Sequence, residues 1–133
     1  MFRRWMLALC FVAIGASLDR LVLAQPTGIT RTVLLTTDDP GSKTFEAVVA
    51  LAELQPGAVS GRHRHPGIEI GYVLEGSARL EHEGRPVKEV KTGDVFRNDG
   101  VHGVTVPAGA GAKILAFYLV EKGKPLSEAV ILR

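Results

Sequence analysis

Beyond residue 30 the chain is cut into short pieces by turn-forming clusters. They are Asp38-Asp39-Pro40-Gly41, Pro56-Gly57, Glu75-Gly76-Ser77, Glu83-Gly84-Arg85-Pro86, Asn98-Asp99-Gly100 and Pro107-Ala-Gly-Ala-Gly111. Proline fixes φ and lacks a backbone donor, while glycine and asparagine accept positive φ, so regular structure is interrupted at each. The pieces between them are rich in β-branched and apolar residues: Arg31–Thr37, Ile68–Leu74, Ala78–His82, Val87–Lys91, Val101–Val106 and Lys113–Val120. Short strands at fairly even spacing predict an all-β sandwich or barrel. One piece is ambiguous. Phe45–Leu54 suits a helix by propensity as well as a strand. There is no glycine-rich phosphate motif, no nucleophile elbow and no internal repeat.

Chemistry concentrates in one run, Gly57-Ala-Val-Ser-Gly-Arg-His63-Arg-His65-Pro-Gly-Ile-Glu69-Ile-Gly-Tyr-Val-Leu-Glu-Gly76. His63 and His65 have the same parity, so on an extended strand both rings point to one face. Glu69 shares that parity, with Pro66-Gly67 bending the chain between them. Two neutral imidazoles and a carboxylate make a first shell for a divalent transition metal. The alternative is a pair of solvated histidines, but two of the chain's four histidines sit here beside a carboxylate. A third, His102, follows the Asn98-Asp99-Gly100 turn and shares parity with Val104 and Val106, which would project it from an apolar inner face.

The run resembles the first motif of the cupin superfamily, G-x5-H-x-H-x3or4-E-x6-G, with Gly57, His63, His65, Glu69 and Gly76 on every fixed position. The second motif, G-x5-P-x-G-x2-H-x3-N, is met less fully. Gly93, Gly100 and His102 have counterparts, but the proline is missing, Val106 stands for the asparagine, and the Gly93–His102 segment is two residues short. The resemblance spans roughly residues 28–126 and is to small exported single-domain bacterial cupins. It implies a jelly-roll barrel of the double-stranded β-helix type, with Phe45–Leu54 as a strand. It also implies His63, His65, Glu69 and His102 as ligands of manganese, iron, nickel, copper or zinc.

The first 24 residues read differently. Arg3-Arg4, an apolar stretch from Trp5 to Leu18, and Val22-Leu23-Ala24 form a secretory signal-peptide pattern. The expected cut precedes Gln25, with a cut after Ala16 as runner-up, leaving 25–133 as one domain in the periplasm or outside the cell. The apolar stretch is short for a membrane span, so no stable anchor is expected after cleavage. Three of the 16 basic and one of the 14 acidic residues fall in this segment, leaving thirteen of each. The remainder is near neutral and shows no basic cluster, which argues against nucleic-acid binding. Cys10, the sole cysteine, also lies in the segment, so a metal in the domain is held by nitrogen and oxygen alone.

Three imidazoles and a carboxylate leave open coordination positions on a five- or six-coordinate metal, where a substrate or dioxygen can bind. Two functions are compatible: an enzyme acting on a small organic molecule, of dioxygenase type, or a non-catalytic ligand-binding or sensor module. No further side chain stands out as an acid or base. His82, between Glu81 and Glu83, reads as a surface residue, and Arg62 and Arg64 alternate with the ligands and should face outward. Glu75 should be solvent-exposed, while Tyr72 and Tyr118 are either pocket or core residues. The tail 123–133 is expected to dock on the barrel or on a partner subunit, and the family resemblance implies a homodimer.

Overall fold

Residues 27–131 are described by the computed structural model, and all of their regular structure is strand. The expected signal segment and its cleavage site lie outside the described residues. Ten strands follow in order: β1 (Thr27–Asp38), β2 (Phe45–Val59), β3 (His63–Arg64), β4 (Gly67–Glu75), β5 (Ser77–His82), β6 (Lys88–Lys91), β7 (Val95–Asn98), β8 (His102–Thr105), β9 (Ala112–Glu121) and β10 (Glu128–Ala129). The main path runs β10-β3-β8-β2-β9-β4-β7, with β1 added to β2, β5 to β8 and β6 to β5. Every pairing is antiparallel. Because neighbours in space are distant in sequence, the strands wind into the jelly-roll barrel that the sequence predicts.

Period-two alternation decides what faces inward. On β9, Ala112, Ile114, Ala116, Tyr118 and Val120 are buried, while Lys113, Leu115, Phe117 and Leu119 face out. The interior holds two apolar clusters. One gathers Leu54, Val73, Leu80, Val90, Phe96 and Ile114, and the other joins Val48, Ala50, Ala116, Tyr118 and Val120. Gly71 on β4 lets the Phe96 ring of the neighbouring strand lie against bare backbone. A Cβ at Gly71 would stand 2.1 Å from Phe96 Cζ, so any side chain there pushes Phe96 aside.

Phe45–Leu54 is a strand, and it runs on to Val59. Pro56-Gly57 makes a corner rather than an end. β2 pairs with β9 as far as Leu54 and with β8 at Val59, and Gly57 takes φ +74° where the strand changes partner. A proline is tolerated there because no ladder bond asks for its missing N–H. The tail docks on the barrel of its own chain: β10 pairs with β3, and Leu126 packs against the second cluster.

Candidate metal centre

β3 carries His63, the link to β4 carries His65, β4 carries Glu69, and β8 brings His102 directly opposite His63. All four are buried in the barrel. One ring nitrogen from each of His63, His65 and His102 lies within 4.8 Å of the others. The His63 and His102 ring centroids are 4.3 Å apart, and each is 5.1 Å from His65. The short turn therefore delivers His102 to the other two despite the missing residues. Gly100, at φ +70°, closes that turn without strain.

Each ring is tied to the barrel wall through Nδ1. His63 Nδ1 is 3.1 Å from the Gly61 carbonyl, His65 Nδ1 is 2.6 Å from that of Leu126, and His102 Nδ1 is 3.0 Å from that of Gly100. A carbonyl only accepts, so Nδ1 donates in all three, and the neutral ring keeps its lone pair on Nε2. Such bonds fix tautomer and orientation in metal-binding histidines. Among the described residues His102 Nε2 is buried without a hydrogen-bond partner, and His65 Nε2 lies 3.1 Å from Glu69 Oε2. A lone pair facing a carboxylate oxygen at that distance repels it unless a proton or a cation sits between. The donor set, its convergence and the orphaned His102 nitrogen all fit a divalent transition metal.

Glu69 is held at both oxygens. Asn98 Nδ2 donates to Oε2 at 2.8 Å, and the Tyr118 hydroxyl donates to Oε1 at 3.1 Å. Burial alone would raise its pKa, but the His102 and His65 rings beside it and the Asn98 amide outweigh that and hold the carboxyl well below the usual carboxylate range. Burial lowers His63 to about 4, so it is neutral and ready to ligate at pH 7. Burial and the Glu69 charge push the Tyr118 hydroxyl above its ordinary value, keeping it a donor.

Beside the centre lies a cavity of about 40 Å³. His63, Glu69, Asn98 and Tyr118 form its polar side, Ile29, Leu54, Phe96 and Ile114 its apolar side, and Arg31 of β1 also lines it. Sequence reasoning left Tyr118 undecided, treated Asn98 only as a turn residue and did not single out Arg31. Register explains them: Tyr118 pairs with Glu69 across β9–β4, and Asn98 with Glu69 across β4–β7. His82 corrects an expectation. It pairs with His102, so its ring faces inward, 5.6 Å from that of His102, with Nε2 buried. Burial lowers its pKa. Arg62 and Arg64 face outward onto Glu83 and Glu128, Glu75 is exposed beside Lys113, and Tyr72 lies on the outer face.

Residues 50–118 match the family model described as a cupin domain. No curated protein matches the sequence. Among solved structures, a cupin-like protein of Thermotoga maritima aligns with TM-score 0.62 at 23% identity, covering 77% of this chain and 75% of that one. The polyketide cyclase RemF of Streptomyces resistomycificus aligns with TM-score 0.61 at 26% identity over 81% and 75% of the two chains. KdgF of a Halomonas species aligns with TM-score 0.54 at 27% identity over 68% and 77%.

Proposed function

Because this chain belongs to the cupin family, we propose that it holds a divalent transition metal on His63, His65, Glu69 and His102 and acts there as an enzyme on a small organic molecule. The observation that carries this reading is the buried, partnerless Nε2 of His102. Its ring, like those of His63 and His65, is turned by a backbone carbonyl so that Nε2 can ligate. A metal bound there supplies Lewis acidity to an oxygen of the molecule in the cavity and open positions for dioxygen. The chain's own residues do the rest. Tyr118 and Asn98 lock the Glu69 carboxylate, and Tyr118 keeps its proton at Oη as a donor beside the cavity. The wall of Ile29, Leu54, Phe96 and Ile114 limits water at the site.

The 26% identity to a polyketide cyclase favours an enzyme over a passive binding module. The test is elemental analysis of the purified protein, followed by oxygen-consumption and product assays on small aromatic and enol substrates. Stoichiometric metal with turnover supports the enzyme. Metal with ligand binding but no turnover points to the sensor or binding module, and a metal-free protein that takes up no added manganese, iron, nickel, copper or zinc rejects the centre. Cleavage before Gln25, residence in the periplasm or outside the cell, and a homodimer belong to the same reading. The signal-like first 24 residues support export. Exposed Ile70, Tyr72, Val95 and Phe117 on the outer face of β4, β7 and β9 support pairing of two copies.

A further inference from the structure

We propose that the pocket takes a small organic carboxylate whose anionic end is held by Arg31 at the mouth while its apolar carbons lie along the cavity wall. This deepens the reading of a metal-dependent enzyme and rests on it for the identity of the pocket. Arg31 is singled out by its charge neighbourhood. Arg62 pairs with Glu83 at 3.3 Å, Arg64 with Glu128 at 3.0 Å, Arg79 with Glu89 at 3.9 Å, and Arg85 and Arg97 with Asp99 at 2.9 and 3.5 Å. Among the described residues, Arg31 is the one arginine that no carboxylate pairs with, and it is the one that lines the cavity.

Its direction follows from register. Arg31 pairs with Ala52 and Ile29 with Leu54, residues whose side chains turn to the interior, so β1 presents Ile29 and Arg31 to the pocket rather than to the outer face. The guanidinium carbon stands 5.8 Å from the centre of the Tyr118 ring, a cation–π distance that fixes the head of an otherwise free side chain. Tyr118 in turn bonds Glu69. The mouth thus carries a positioned, unneutralised cation two contacts from the metal ligands. A planar fork of N–H donors matches a carboxylate in a bidentate manner. The wall between, Ile29, Leu54, Phe96 and Ile114, offers no polar partner to the rest of such a molecule, and a cavity of about 40 Å³ limits that rest to a few carbon atoms.

The probes are propionate and isobutyrate, each compared with its neutral amide by calorimetry on the purified protein, with metal content measured in parallel. At least one acid is expected to bind about tenfold or more tighter than its amide, because a charge-assisted bond to Arg31 is lost in the amide. Arg31→Gln should remove that preference, leaving the amide's affinity, the metal content and the melting temperature unchanged, and Arg31→Lys should restore part of it. Three results overturn the proposal: no acid binds, acid and amide bind alike, or Arg31→Gln keeps the preference. A protein that shows the Arg31-dependent preference without ever taking up metal would instead reject the metal-enzyme reading and leave the carboxylate site standing.

Discussion

A histidine whose Nδ1–H is given to a backbone carbonyl has one lone pair left, on Nε2, and here three such lone pairs converge in a water-poor interior. His63→Ala, His65→Ala and His102→Ala should therefore weaken metal binding to a similar extent, as read by metal content and by the metal-dependent melting shift. Glu69→Gln should cost less, since an amide oxygen remains while the balancing charge is lost. Asn98→Ala should cost about 10- to 100-fold in affinity, as expected of a residue that aims a ligand without touching the metal. Full metal content in His102→Ala would reduce the centre to two histidines and a carboxylate. The four proposed ligands were legible because each is a metal-binding residue type at a fixed spacing. Asn98, Tyr118 and Arg31 were not, because each has a common alternative use, in turn, core or surface. Only the pairing of β1, β7 and β9 with their neighbours turns them to the site. His82 misled for the same reason: flanking glutamates describe the strand's other face, not its own.

The same burial sets an acid sensitivity. His63 falls from 6.5 in the unfolded chain to about 4 in the fold. Above pH 6.5 neither state is protonated and the stability is whole. Between 6.5 and 4 the unfolded chain takes up a proton that the fold refuses, so stability falls with pH, by up to about 3 kcal/mol once below both values. Glu69, held below its ordinary 4.5, adds a loss of the same sign further into acid. The metal-free protein should melt progressively lower as pH drops from 6.5, and His63→Gln should flatten the part between 6.5 and 4.

At the level of elements, the tail has a task that its composition did not announce. β10 closes onto β3, and the carbonyl of Leu126 receives the Nδ1–H of His65. Ending the chain at Lys124 should leave a folded barrel that binds metal about tenfold or more weakly, because His65 loses the group that fixes its tautomer. Equal affinity in the shortened protein, measured by chelator competition, would show that the tail is only packing. The strands themselves were readable from turn clusters and alternation, including β4, β5 and β9. What local pattern could not show was that Pro56-Gly57 is a corner. A turn residue marks a change of direction, and whether the strand resumes depends on the partner waiting beyond it, here Thr105 of β8.

At the scale of the whole molecule, the outer sheet presents Ile70, Tyr72, Val95 and Phe117 to solvent, each at least 40% exposed. A charge placed there should act on assembly and not on the interior. Light scattering at micromolar concentration is expected to give a dimer mass for the native chain and a monomer for Phe117→Glu, with metal content unchanged. A monomer for both would remove the dimer.

Among the described residues β1 is paired on one side only, to β2, and eleven of its twelve residues are exposed. Segments with few buried contacts open at far lower free energy than the strands around them. Its backbone amides should thus exchange with deuterium orders of magnitude faster than those of β9, which is flanked by β2 and β4. β1 also carries Ile29 and Arg31 to the pocket, so a strand held by one neighbour forms part of the wall that an incoming molecule meets. If opening of that strand admits the molecule, a disulfide pinning β1 to β2 should slow both entry and exit while leaving His63, His65, Glu69 and His102 untouched.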